Sequence, residues 1–172
     1  MNLDVLNALP DDEAHESFYR CCASDHWAAQ MTEARPFDDE EVLLETADKL
    51  WWDLSAEHWL EAFEGHPKIG DVDSLREKYG ASRSWSEGEQ RGVQGADDEV
   101  LQKLADLNDA YEEKFGFIFI VCATGKSARE MLRILENRIQ NDPDEELQNA
   151  AGEQAKITAI RLEKLLQDGR RR

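Results

Sequence analysis

The chain has 172 residues, and 38 acidic against 20 basic side chains give it a formal charge of −18. That length is one domain's worth, and 41% apolar residues suffice for a core without disulfide staples. The acidic excess argues against nucleic acid as a partner, because affinity for phosphate backbones comes largely from Lys and Arg displacing counterions.

No apolar run approaches the ~20 residues of a membrane span, and Met1 to Pro10 lack the basic-then-apolar layout of a signal peptide. A cytoplasmic protein with no membrane contact is the expectation. Five Trp, six Phe and three Tyr lie in periodic apolar patterns, so the acidity marks a solvated surface rather than disorder. Such a surface suits a salt-rich cell. Cys21 and Cys22 are adjacent and Cys122 stands alone; without a CxxC pair they point to reduced thiols and to no metal site.

Helical periodicity dominates from the start. Asp11 is placed as an N-cap ahead of Ala14, Phe18, Cys21 and Cys22, which fall at i, i+4, i+7 and i+8. Ser24 caps a short helix through Trp27 and Met31, after which Arg35-Pro36-Phe37 forces an extended link. Asp38 starts the next helix, where Glu40 and Glu41 suit the helix dipole and Val42, Leu43, Ala47, Leu50 and Trp51 face inward. Ser55 caps another, carrying Trp59, Leu60 and Phe63. Gly65 ends it as the usual residue just past a helix, and Pro67 pushes His66 out of the α region.

A small helix from Asp73 to Tyr79, closed by Gly80, leads to a Ser-rich link from Ser82 to Ser86. Past Gly92 and Gly95, the spacing of Val100, Leu104, Leu107, Tyr111 and Phe115 predicts a long helix. Phe117 to Ala123 is strand-like but has no partner strand, so it reads as a buried extended link or a buried helix. Ser127 and Glu130 form a capping box for a helix through Leu132, Leu135 and Ile139, and Pro143 fits the first position of a final long helix. The expected architecture is an all-α single-domain bundle of about eight helices over residues 1–172, with its core at about 6–166 and a polar basic tail at 167–172.

Several residues are candidates for chemistry. Gly125-Lys126-Ser127 resembles the end of a phosphate-binding loop, but that loop needs a Gly where Ile120 stands, so Ser127 is better explained as a cap. His66, fixed between Gly65 and Pro67, suits proton transfer, with a surface loop histidine as the alternative. His15, His26 and His58 sit on polar helix faces without metal-ligand spacing and are expected in solvent. Ser86 and Glu89 match a capping box; Glu89 and Gln90 equally fit a helix N-terminus pointing into a pocket, and both readings stay open. On the last helix Leu147, Ala150, Ala151, Ile157, Leu162 and Leu165 make an apolar stripe with Gln154 and Arg161 inside it. An inward guanidinium needs an anion, either a side chain of this acidic chain or a substrate carboxylate, unless it snorkels outward.

Taken together, the blocks Cys22-Ala23-Ser24 to Trp27-Ala28, Arg35-Pro36-Phe37, Trp59 to Phe63, Gly65-His66-Pro67-Lys68-Ile69-Gly70, Trp85-Ser86-Glu87-Gly88-Glu89-Gln90 and Phe115 to Ala128 follow one order. In this the chain resembles the 2-oxo-4-hydroxy-4-carboxy-5-ureidoimidazoline (OHCU) decarboxylases of urate breakdown, from Leu6 to Leu166. The resemblance implies an all-α homodimer without cofactor or metal, converting OHCU to (S)-allantoin and carbon dioxide. It gives catalytic places to His66, Glu89 and Arg161 and substrate-binding places to Pro67, Ser86 and Gln90. Phe117, Ile118, Phe119 and Ile120 would offer backbone N–H groups, although the family often has Pro where this chain has Ile118. The competing readings are a non-catalytic helical interaction module and a different small-molecule lyase on the same scaffold.

Overall fold

A computed structural model of the chain describes residues 1–68, 72–73, 75 and 87–167, with side chains in the last stretch from 98 onward. Every regular element among the described residues is a helix: α1 (Leu3–Ala8), α2 (Asp11–Cys21), α3 (Asp25–Ala34), α4 (Glu40–Trp52), α5 (Ala56–Glu64), α6 (Glu87–Phe115), α7 (Ala128–Arg138) and α8 (Pro143–Gln167). The chain packs as two compact units, Met1–His66 with Ala151–Arg172, and Pro67–Ala150. The expected helix from Asp73 to Tyr79 and the Ser-rich link fall largely outside the described residues, and the tail falls outside them beyond Gln167.

In the first unit, α1 was not anticipated. Asn2 starts it by accepting from the Val5 N–H at 2.9 Å. Its free carbonyls are met by the Arg35 guanidinium, which reaches Leu6 O at 2.9 Å and Leu9 O at 2.8 Å while pairing with Asp11 at 2.8 Å. Pro10 occupies the cap of α2, so Asp11 is its first helical residue and acts through the dipole with Asp12 and Glu13. Ser24 caps α3 as expected, accepting from the Trp27 N–H at 3.2 Å. Asp39, one residue later than anticipated, caps α4.

Aromatic rings fill this core, and each buried indole N–H finds a carbonyl. Trp27 donates to Ala47 O at 3.0 Å, Trp51 to Ala151 O at 2.9 Å and Trp59 to Trp51 O at 2.9 Å. Phe18 meets Trp27 and Phe37 edge-on. Val42, expected inward, is exposed, and so is Leu60. Each sits one residue, or 100° of helix, from a buried neighbour, and the buried face is only as wide as Leu43, Ala47 and Trp51 on α4 and Trp59, Ala62 and Phe63 on α5. On α8 the stripe centres on Ala151, Gln154, Thr158, Leu162 and Leu166, leaving Ile157 and Leu165 half-buried. His15 and His58 are half-buried rather than solvated: His15 pairs with Asp25 at 3.0 Å, and His58 stacks on the exposed His26. All three cysteines are buried, and none is in a disulfide.

The second unit is built around α6, which begins at Glu87 and runs through Gly92 and Gly95 instead of starting after them. Its Leu101, Leu104 and Tyr111 pack with Leu75, Phe119, Val121, Met131, Leu132 and Leu135. Gly116 ends the helix at φ 80°, a left-handed conformation that costs glycine nothing. Residues 117–123 then form neither helix nor strand, and Phe119 to Cys122 are buried: the extended-link reading holds. Ser127 caps α7 through the Glu130 N–H at 3.2 Å, and Pro143 opens α8 as its sequence suggests.

Candidate active site

The exit of α5 is shaped by a close approach. Gly65 has an ordinary αR backbone at φ −72°, so it is not there for conformational freedom. A Cβ at this position would collide with the Cβ of Ala23. The bare backbone lets the chain pass, and the next residue, His66, donates its N–H to Phe63 O at 3.2 Å.

The His66 ring is half-buried in the first unit, with Nε2 2.5 Å from Gln154 Oε1. Gln154 is fully buried, and its amide Nε2 donates to Thr158 Oγ1 at 3.0 Å, one turn along α8. The Cys22 thiol lies close to Thr158, and the Cys22 carbonyl accepts the Ser24 N–H at 2.8 Å. Less than a turn further on α8, Arg161 donates from Nη1 to Cys21 O at 3.3 Å. Among the described residues no carboxylate pairs with Arg161.

Burial holds the His66 imidazole below the usual 6.5, and the positive charge of Arg161 pushes the same way against the opposing hydrogen bond from Gln154. The ring is therefore neutral at pH 7. Burial also raises Cys21 to about 11 and Cys22 to about 12, so both remain thiols and are not nucleophiles. This part of the chain offers a neutral imidazole beside a guanidinium with donors to spare. That combination can orient a carboxylate and manage a proton.

The other expected residues lie in the second unit. Pro67 is exposed, and Lys68 after it bridges Asp109 at 2.7 Å and Glu112 at 2.8 Å. Glu89 and Gln90 fall in the first turn of α6, their side chains outside the described residues, as is Ser86 altogether. Phe117 and Ile118 are half-buried, Phe119 and Ile120 buried.

What holds that link was not read from the sequence. Arg138 donates from Nη1 to Ile120 O at 2.6 Å and lies 4.7 Å over the Phe119 ring. Its guanidinium grips the fully buried Glu146 at 2.5 and 2.6 Å, where Tyr111 adds a hydroxyl at 2.6 Å. Asn141 and Asn149 satisfy the other carboxylate oxygen at 3.0 and 3.3 Å. Burial and the Glu146 carboxylate push the Tyr111 phenol well up, so it stays a donor. Glu146 looks like one of three first-turn acids, yet it precedes Ala150 and Gln154 at successive steps of four along the buried face. That spacing was the available signal.

A sequence model of the family described as OHCU decarboxylase matches residues 7–163. The chain belongs to the OHCU decarboxylase family. It is 41% identical over 151 residues to the uric acid degradation bifunctional protein TTL of Arabidopsis thaliana, covering 86% of this chain but only 46% of that protein. The chain thus spans a little under half the length of that relative. A 2-oxo-4-hydroxy-4-carboxy-5-ureidoimidazoline decarboxylase of Amia calva is 30% identical over 97% of this chain and 95% of its own. A crystal structure of OHCU decarboxylase in the presence of (S)-allantoin superposes with a TM-score of 0.71 at 36% identity, covering 92% of this chain and 99% of that one. The all-helical architecture expected from the resemblance is that of this OHCU decarboxylase.

Proposed function

We propose that this chain is a carboxy-lyase converting 2-oxo-4-hydroxy-4-carboxy-5-ureidoimidazoline to (S)-allantoin and carbon dioxide in urate degradation. Family membership supports the reading. The observation that carries it is the half-buried neutral imidazole of His66 beside Arg161, a cation without a carboxylate partner among the described residues.

The chemistry asks little beyond positioning. The bond from ring carbon to carboxylate breaks, carbon dioxide leaves, and the electron pair runs into the adjacent imine, whose nitrogen takes up a proton. The resulting enol returns to a ketone as a proton adds to one face of the ureido-bearing carbon and the hydroxyl proton is lost. Because the substrate holds its own electron sink, the reaction needs no cofactor. Arg161 binds the carboxylate and the developing negative charge. His66 contacts the departing centre and tunes proton transfer, and either it or Glu89 supplies the proton that sets the hand. Glu89 and Gln90 hydrogen-bond the ureido and ring N–H groups, while Pro67, Ser86 and the backbone of Phe117, Ile118, Phe119 and Ile120 complete the family's binding places.

A single functional domain belongs to the same proposal, on the support that one family match crosses both compact units. So do a homodimer and a cytoplasmic location, which rest on the resemblance; no helix among the described residues is long and apolar enough to cross a membrane. Light scattering on the purified protein tests the dimer. For the activity, OHCU made in situ from urate is followed by absorbance and the allantoin product by optical rotation. The proposal expects accelerated loss of OHCU and one enantiomer. An unchanged decay to racemic allantoin would overturn it in favour of a binding module.

A further inference from the structure

The polar chain behind His66 has a direction. The Gln154 amide nitrogen donates to Thr158 Oγ1 at 3.0 Å, and the hydroxyl oxygen accepts that bond. The Gln154 amide therefore turns its NH2 toward Thr158 and its oxygen toward His66. Being fully buried, the amide has no water to exchange for either partner. An oxygen 2.5 Å from a ring nitrogen cannot face a bare lone pair, so the proton sits on Nε2.

We propose that Gln154 and Thr158 are positioning residues: they hold His66 as the Nε2–H tautomer and leave Nδ1 as the atom that accepts a hydrogen bond or proton in the site. The inference rests on the proposed role of His66 and adds which of its two nitrogens does the work. A neutral amide suits this task better than a carboxylate. It fixes the tautomer while leaving the ring uncharged next to Arg161, whereas an acidic partner would favour imidazolium.

The experiment is a long-range proton–nitrogen NMR correlation on full-length protein labelled with 15N-histidine, with the His66 signals identified by their loss in His66→Asn. In the unaltered protein Nε2 is expected to be protonated and Nδ1 bare. Gln154→Met should produce a mixture of tautomers and lower kcat on the order of 10–100-fold, as when the partner that orients a working histidine is lost, with KM little changed. Gln154→Glu should keep Nε2 protonated but raise the pH at which Nδ1 loses its proton, so that the neutral Nε2–H form appears only at higher pH than in the unaltered protein. Thr158→Val, which frees the amide to turn, should give a partial mixture. A protonated Nδ1 in the unaltered protein, or a single unchanged tautomer in folded Gln154→Met and Thr158→Val, would overturn the proposal. Should Gln154→Met fail to fold, the unaltered protein and Thr158→Val decide it. Full activity in His66→Asn would instead remove the role of His66, and the tautomer measurement would still stand on its own.

Discussion

Three influences meet on the ring of His66: burial, the Arg161 charge and the Gln154 amide. Because the first two outweigh the third, the folded imidazole binds its proton less tightly than an ordinary histidine near 6.5. If the neutral ring is the working form, the acid limb of the kcat/KM profile falls below 6.5, and Arg161→Met, by removing a positive charge, moves that limb upward. The sign for stability is the same. As pH falls below 6.5 the unfolded chain takes up the proton first, so the stability His66 confers is complete above 6.5 and drains away as pH falls through the folded value. Urea midpoints for His66→Asn, compared with the unaltered protein from about pH 5 to 7.5, should therefore show a flatter pH dependence. Correctly folded His66→Ala should lose about 10²–10⁴ in kcat/KM. Next door, Gly65→Ala overfills the contact with Ala23 and should cost about 1–3 kcal/mol in denaturant titration, with Ala23→Gly relieving much of it in the double variant.

The stretch of chain after α6 is a buried link whose carbonyl at Ile120 is held by an ion pair on α7 and α8. Glu146→Gln leaves the Arg138 guanidinium buried without its countercharge, a change that costs about 3–5 kcal/mol when one partner of such a pair is removed. Arg138→Met combined with Glu146→Gln should recover part of that loss, as read from urea unfolding. Sequence reasoning saw the helices here and missed the clamp, for a physical reason. Caps such as Ser24 and Ser127, and Pro143 at the start of α8, act within a turn of their own position and are visible locally. Glu146 is defined by Tyr111, 35 residues earlier, and no local pattern announces that distance. Gln154 lies between these cases. Its place in an apolar stripe was legible, but its two partners become known only when His66 is brought to α8. Likewise, the apolar content of 117–123 foretold burial without choosing between helix and link. The family itself was legible, because several short blocks occur in one order although each alone is common.

At the scale of the molecule, a charge of −18 on 172 residues means that the folded surface repels itself. Salt screens such repulsion, with a Debye length falling from about 30 Å at 0.01 M to about 3 Å at 1 M. The urea midpoint should therefore rise with sodium chloride over that range, and a midpoint indifferent to salt would remove the support for adaptation to a salt-rich cell. The distribution of tryptophan has a separate consequence. Trp27, Trp51, Trp52 and Trp59 all belong to the first compact unit, leaving only Trp85 elsewhere in the sequence. With Trp85→Phe, intrinsic fluorescence becomes a private reporter of residues 1–66 and 151–172, while far-ultraviolet dichroism still sums every helix. Coincident melting curves from the two signals would mean that both units unfold in a single cooperative step, and separated curves would reveal which one yields first.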